Sequence, residues 1–187
     1  MDRKEFLRTC AGGLCACTTA CLAAPAEAAE AAKPEDWRLP FVKKRYAKLL
    51  EILSDEMNDE QLNDTLFKLG HHCSSLGNKT LEKYRGDVEG YAAFIRKTTS
   101  ADIITYDRGK GVITMTTDVR PDCFCPFNGV AFKTPGVVCN CSLGWQTNTW
   151  ETLLQKKVQV ELKEAVLRGG QRCTFEIRIL DEPVQPA

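Results

Sequence analysis

Ile103-Ile104-Thr105-Tyr106-Asp107-Arg108-Gly109-Lys110-Gly111-Val112-Ile113-Thr114-Met115-Thr116 is the stretch on which the fold turns. Two β-branched runs flank a polar segment with two glycines, the composition of a β-hairpin. Upstream, apolar residues recur at helical spacing; downstream, two further runs alternate. The chain changes here from helix to sheet.

Working back from the hairpin, Val42, Tyr46, Leu49, Leu50 and Leu53 space out a helix that ends near Met57. A second helix is predicted from about Asp59 to Leu76, with the apolar line Leu62, Leu66, Leu69, Cys73 and Leu76. Asn58 and Gln61 stand at capping-box spacing, and Gly77-Asn78 is a stop signal. A third helix, from about Lys79 to Lys97, buries Leu81, Tyr84, Val88, Tyr91 and Ile95. Working forward, the segment from about Asp118 to Val137 carries Pro121, Pro126, Gly129, Pro135 and Gly136 and reads as a long loop. Such a loop in a compact domain is functional or is held by something other than the core. Ser142 to about Gln155 reads as a helix with Trp145, Trp150, Leu153 and Leu154 available for packing. Val158, Val160 and Leu162 alternate as a strand, Gly169-Gly170 turns the chain, and Cys173, Phe175, Ile177 and Ile179 share one face of a last strand. The expected fold is α+β, three N-terminal helices followed by β-β-α-β-β forming an antiparallel sheet.

A length of 187 residues suits one domain and a leader,. Lys+Arg and Asp+Glu number 25 each, so net charge leaves no footprint for an anionic membrane, and no nucleic-acid partner is expected,. Residues 1–26 read as an export signal. Arg3-Lys4-Glu5-Phe6-Leu7-Arg8 and the uncharged run Thr9 to Ala26 resemble a twin-arginine leader, with Lys4 where the second arginine belongs,. That run is too polar for a transmembrane helix. Leu14-Cys15-Ala16-Cys17 has the form of a lipoprotein cleavage box, which makes a lipid anchor the alternative,. Residues 27–34 read as a linker and residues 35–187 as a single Cys-rich domain. The expected location is exported, periplasmic or otherwise extracytoplasmic.

Four of the ten cysteines lie in the leader: Cys10, Cys15, Cys17 and Cys21. Cys73, Cys123, Cys125, Cys139, Cys141 and Cys173 remain. Thiolates are soft ligands that favour zinc or, alternatively, an iron–sulfur cluster, and four complete a tetrahedral shell. The two Cys-x-Cys pairs are tighter than the usual structural zinc spacing. Cys139 and Cys141 stand just ahead of the predicted helix, where the dipole favours a thiolate. The expected metal residues are therefore Cys123, Cys125, Cys139 and Cys141, with Cys173 as a fifth contributor or an exchange for one of them. Disulfides between the pairs are the rival reading for an exported chain, and buried free thiols a third. Cys73 reads as core on its leucine line, and by position alone so does Cys173. His71 and His72, the only histidines, read as residues stabilising a helix C-terminus,. In an alternative reading one of them is the base for a low-pKa Cys139 or Cys141 in a thiol-dependent hydrolase of a small amino-acid-like substrate.

Cys139-Asn-Cys141-Ser-Leu-Gly144-Trp145, Val158-Gln-Val160-Glu-Leu162, Ala165-Val-Leu-Arg-Gly-Gly170 and Cys173-Thr-Phe175-Glu-Ile177 together resemble a Cys-rich bacterial family without an assigned activity. Its members commonly carry twin-arginine-like leaders. More distantly, the closing strand-turn-strand resembles 4-vinyl-reductase-type ligand-binding domains. It also resembles aminothiazoline-carboxylate hydrolases, which share Cys125-Pro126, a later cysteine (Cys139 or Cys141) and the last strand. In aromatic-sensing relatives of the 4-vinyl-reductase type, cysteines and a glutamate hold a zinc beside the pocket. That resemblance implies Cys139 or Cys141, Cys173 and the carboxylate of Glu164, with Cys123 and Cys125 completing the set because Ala165 stands at the middle cysteine. It implies an exported zinc-binding domain that binds or senses a small molecule in a pocket between sheet, helices and loop. No DNA-binding or ATPase domain is read, so a transcription regulator is not expected.

Overall fold

The computed structural model describes residues 37–99, 103–125, 127–132 and 136–184, all within the unit Asp36–Ala187. The export-signal and linker readings, with Pro126 and Pro135, lie outside the described residues. The elements are α1 (Arg38–Glu56), α2 (Asp59–Ser75), α3 (Asn78–Leu81), α4 (Val88–Thr99), β1 (Ile103–Asp107), β2 (Val112–Thr116), α5 (Cys139–Leu154), β3 (Lys156–Glu164) and β4 (Thr174–Pro183). The fold is α+β, with one sheet in the order β1-β2-β4-β3 and every pair antiparallel.

The hairpin forms where its composition places it. Asp107 pairs with Val112, the Asp107 carboxylate accepts from the Lys110 N–H at 3.1 Å, and Gly111 takes the left-handed φ of +63° that the turn demands,. Alternation then puts two apolar rows on one face. Ile104, Met115, Phe175 and Leu162 align across the four strands, and Tyr106, Ile113, Ile177 and Val160 form the next row. Tyr91 and Ala92 of α4, and Trp150 and Leu153 of α5, pack over these rows. Trp150 is wholly buried, edge-on to Tyr91 at 5.7 Å, with its indole N–H donating to Gln146 Oε1 at 3.0 Å. Burying a side chain of this kind is worth about 1.5–3 kcal/mol. The opposite face is polar: Lys163, Glu161, Glu176 and Arg178 form an ion-pair ladder there.

The second helix starts at the expected cap: Asn58 Oδ1 accepts from the Gln61 N–H at 2.9 Å and Gln61 Oε1 from the Asn58 N–H at 3.3 Å. The third helix differs from expectation. Residues 78–84 form α3 and a 3₁₀ turn, Gly86 goes left-handed at φ +75°, and a new helix, α4, begins at Val88. Two interactions impose the break. The Gly86 N–H donates to Leu153 O at 2.8 Å, and the Asp87 carboxylate caps α4 through the Gly90 N–H at 2.8 Å,.

α2 and α5 cross with their backbones in direct contact, and two glycines allow it. A Cβ on Gly70 would lie 1.8 Å from Cys141 O, and one on Gly144 would lie 1.9 Å from Phe67 O. Beside this backbone-to-backbone contact, buried Ser74 shares a 2.9 Å hydrogen bond with Thr149, and the Asn148 amide donates to Ser74 Oγ at 3.0 Å. A second apolar cluster joins Leu50 of α1 and Leu62 and Leu66 of α2 to Val137, with Phe127, Val130, Phe132 and Cys141 packed against it. Among the described residues no helix is long and apolar enough to cross a membrane.

Candidate metal centre

The loop after β2 first follows the segment before β4. The Thr117 N–H donates to Cys173 O at 2.9 Å, the Cys173 N–H to Thr117 Oγ1 at 3.0 Å, and the Arg120 N–H to Gln171 O at 3.1 Å. These bonds bring the start of the loop alongside Cys173. The loop then tightens at its Cys-x-Cys pair: the Cys125 N–H donates to Cys123 Sγ at 3.4 Å, the Asn128 N–H to Cys125 O at 2.8 Å, and the Asn128 amide to Cys123 O at 3.0 Å. Phe127 packs against Tyr46 of α1 at 5.6 Å. The second apolar cluster thus anchors the loop downstream of the cysteines.

On the other side, Gly136 at φ +75° fits against the turn after β3; a Cβ there would meet Arg168 Cγ at 2.8 Å. Arg168 Nε donates to Gly136 O at 3.3 Å. The Glu164 carboxylate accepts from the Gln171 N–H at 2.7 Å and the Arg172 N–H at 3.3 Å, which fixes the approach to Cys173. The carboxylate that the family resemblance points to is thus engaged with the backbone of its own turn.

All six cysteines of the folded unit are free thiols, and electrostatics ties them into one neighbourhood. Burial raises the Cys139 thiol from 9.0 to about 11; Arg168 pulls it back, and the charges of Cys173, Cys123 and Cys125 push it further up. Cys125 is raised first by burial and then by Cys123 and Cys173, against a backbone hydrogen bond from Phe127. Cys173 is likewise raised by burial and by Cys123, against a backbone hydrogen bond from Val166 and the nearby Arg120. Cys123, Cys125, Cys139 and Cys173 therefore sit within one another's field. One backbone N–H donates to these sulfurs, that of Cys125 to Cys123 Sγ at 3.4 Å.

Cys141 faces a second apolar cluster while remaining in the field of Cys125. It stands two residues beyond Cys139 on α5, a rotation of about 200° around a helix. Cys139 packs with Cys173 in the core under the sheet, whereas Cys141 packs on the Leu50–Leu62–Leu66 cluster. Burial raises Cys141 from 9.0 to about 12, and the neighbours that add to it are Cys125 and Cys73. Burial also raises the Tyr46 hydroxyl, with further contributions from Cys73 and Cys141. Cys73, which the leucine line assigns to the core, is half-buried beside Cys141.

Two expectations are corrected here. Cys139 and Cys141 lie inside the first turn of α5, which begins at Cys139 rather than Ser142. The low-pKa thiolate expected at that helix start is also reversed in direction. The N–H groups of Cys139, Asn140 and Cys141 donate to the carbonyls of Gly136, Val137 and Val138 at 3.0–3.1 Å, so they are not free to stabilise a thiolate, and desolvation dominates,. His72 is exposed, and half-buried His71 lies with its ring 6.5 Å from that of Phe67. Among the described residues no three His, Cys, Asp or Glu side chains converge at ligand spacing. Four soft sulfurs beside two arginines and one backbone donor are the donor type that zinc takes,.

No protein-family model matches this sequence. No curated protein matches it. Solved structures share its fold. The chain is similar to trafficking protein particle complex subunit 3 from Naegleria fowleri, solved covalently bound to palmitic acid, at 15% identity and a TM-score of 0.55 over 78% of this chain and 96% of that one. It is similar to the phenol-responsive sensory domain of the transcription activator PoxR, solved with phenol, at 16% identity and a TM-score of 0.50 over 73% and 74% of the two chains. A vinyl-4-reductase family protein from Methanocaldococcus jannaschii aligns at 15% identity and a TM-score of 0.42 over 76% and 82%, too loosely to argue from. At these identities the first two likenesses establish the α+β fold alone.

Proposed function

We propose that this chain is a metal-binding domain that takes up a small molecule, with zinc held by Cys123, Cys125, Cys139 and Cys173. The observation that carries this reading is the neighbourhood of four thiols within one another's field, with the Cys125 N–H donating to Cys123 Sγ. Buried thiolates repel one another, so a divalent cation is what lets them lose their protons together. Arg120 and Arg168 offset the negative charge that such a set carries. Cys141, the remaining sequence candidate, lies in the field of Cys125 as well as of Cys73, and it is left out of the proposed set because it packs on the Leu50–Leu62–Leu66 cluster. The Cys123–Cys125 segment, which has no regular secondary structure, must close in for the four sulfurs to share one ion. When bound by four sulfurs, zinc would supply a closed structural clamp.

The small-molecule part rests on fold analogy. The PoxR sensory domain binds phenol and the trafficking subunit carries palmitic acid, so a small, largely apolar ligand is the class to test,. Export through the twin-arginine-like leader belongs to the same proposal. It fits a route that carries proteins already folded around a metal.

The test is metal content and thiol count on the full chain purified without oxygen, with Cys173→Ser and Cys141→Ser beside it. We expect roughly one zinc per chain in the parent and in Cys141→Ser, and its loss in Cys173→Ser. A brown preparation with iron and acid-labile sulfide replaces zinc with the iron–sulfur alternative. A parent without metal overturns the reading.

A further inference from the structure

The outward face of α1 is left over from everything described so far. Leu50 and Ser54 are buried on its inner side, with Tyr46, Leu53 and Met57 packed on the Leu62–Leu66 cluster. Residues 37–45, by contrast, are exposed throughout. Trp37, Leu39, Phe41, Val42, Leu49 and Ile52 are each between 45% and 67% exposed. Apolar side chains exposed together in this way mark a binding face.

The charges on the same stretch say what kind of partner fits. Between Trp37 and Ile52 stand Arg38, Lys43, Lys44, Arg45 and Lys48 against one acidic residue, Glu51, which pairs with Lys48 at 3.1 Å, so the span carries a net of four positive charges. The chain's overall neutrality conceals this segregation. Trp37, Phe41, Lys48 and Ile52 recur along one outward stripe, so apolar and basic groups share a face. Trp37 lies edge-on to Phe41 at 5.7 Å, and the Arg45 guanidinium covers the Phe41 ring at 4.5 Å. A second copy docked here by two-fold symmetry would set a net of four positive charges against four. Phosphates of nucleic acid would answer the lysines but leave Leu39, Val42, Leu49 and Ile52 in water. A bilayer with anionic headgroups satisfies both sets, with the aliphatics and Trp37 entering the interface and the basic groups staying among the phosphates.

We propose that α1 docks the folded unit on an anionic lipid surface, its axis parallel to the membrane plane and its Trp37–Phe41–Ile52 stripe inserted. This stands independently of the metal reading, because it uses no cysteine.

The test is co-sedimentation of the full chain with vesicles of phosphatidylcholine, alone and mixed with phosphatidylglycerol. We expect binding to the mixed vesicles, little to the pure ones, and release by salt. Lys43→Gln with Lys44→Gln should weaken binding about thirty-fold, at roughly one kcal/mol per charge near the surface. Phe41→Ser with Val42→Ser should abolish it. All four side chains are exposed, so both variants should keep the parent's circular dichroism. Equal binding to the two vesicle types, or binding unchanged in both variants, overturns the proposal. So does a dimer that dissolves in the Phe41/Val42 variant without vesicle binding, which makes the occupant a second copy. Retention of RNA or DNA in place of vesicles overturns it as well.

Discussion

At the scale of single residues, the two glycines of the α2–α5 crossing matter more than their composition suggests. The Cβ of Gly70→Ala would meet the Cys141 carbonyl, which is backbone and cannot swing aside. The substitution should therefore push the helices apart and destabilise the fold by about 3 kcal/mol, the upper end for overpacking. Thermal unfolding of Gly70→Ala against Gly77→Ala, where the nearest atom is 3.4 Å away, checks this. Equal midpoints would remove the crossing from the account. The thiols make a second prediction. In metal-free protein, Cys139 and Cys141 ionise at about 11 and about 12 when folded and at 9.0 when unfolded. The unfolded chain then loses its protons first as pH rises, so the contribution of burial is complete below pH 9.0 and lost between there and about 12,. Unfolding midpoints of chelator-treated protein should fall across that window, and fall less in Cys141→Ala. A profile identical in the two proteins contradicts the assignment.

At the scale of elements, what the chain announces locally is what forms. The capping box at Asn58 and Gln61 was legible because both partners lie within one turn; Asn58→Ala should cost about 1 kcal/mol of stability, read by urea unfolding. The hairpin was legible because two β-branched runs and a glycine turn lie side by side. The predicted third helix broke because Arg85-Gly86-Asp87 combines a stop with a cap, a signal its apolar spacing concealed. The early start of α5 was not legible. Nothing local marks Val138 as its cap, and the first turn depends on Gly136 fitting against a turn some thirty residues downstream, a contact with Arg168 that only the fold creates.

At the scale of the whole molecule, zinc loading should separate the cysteines into two classes. About four thiols should become slow to react with a disulfide reagent, the number that fills a tetrahedral shell, while Cys73 and Cys141 keep their metal-free rates. Mass spectrometry of the labelled chain checks this, and protection of Cys141 in place of Cys173 would reassign the set. The sequence by itself determined the α+β class, the hairpin, the alternation that lines the sheet's inner face and the candidacy of the cysteines, because each is written in neighbouring residues. It could not divide those cysteines. Cys139 and Cys141 look like one pair along the chain, but the turn of α5 directs them to opposite sides, one to the core with Cys173 and one to α2 with Cys73. Only the tertiary structure shows that the two pack in different clusters. That separation depends on how closely α2 and α5 approach through Gly70 and Gly144, and on the hydrogen bonds that lay the loop beside Cys173. The exposed basic face of α1 divides in the same way: its residues are plain in the sequence, but which of them the core leaves uncovered is settled only by packing.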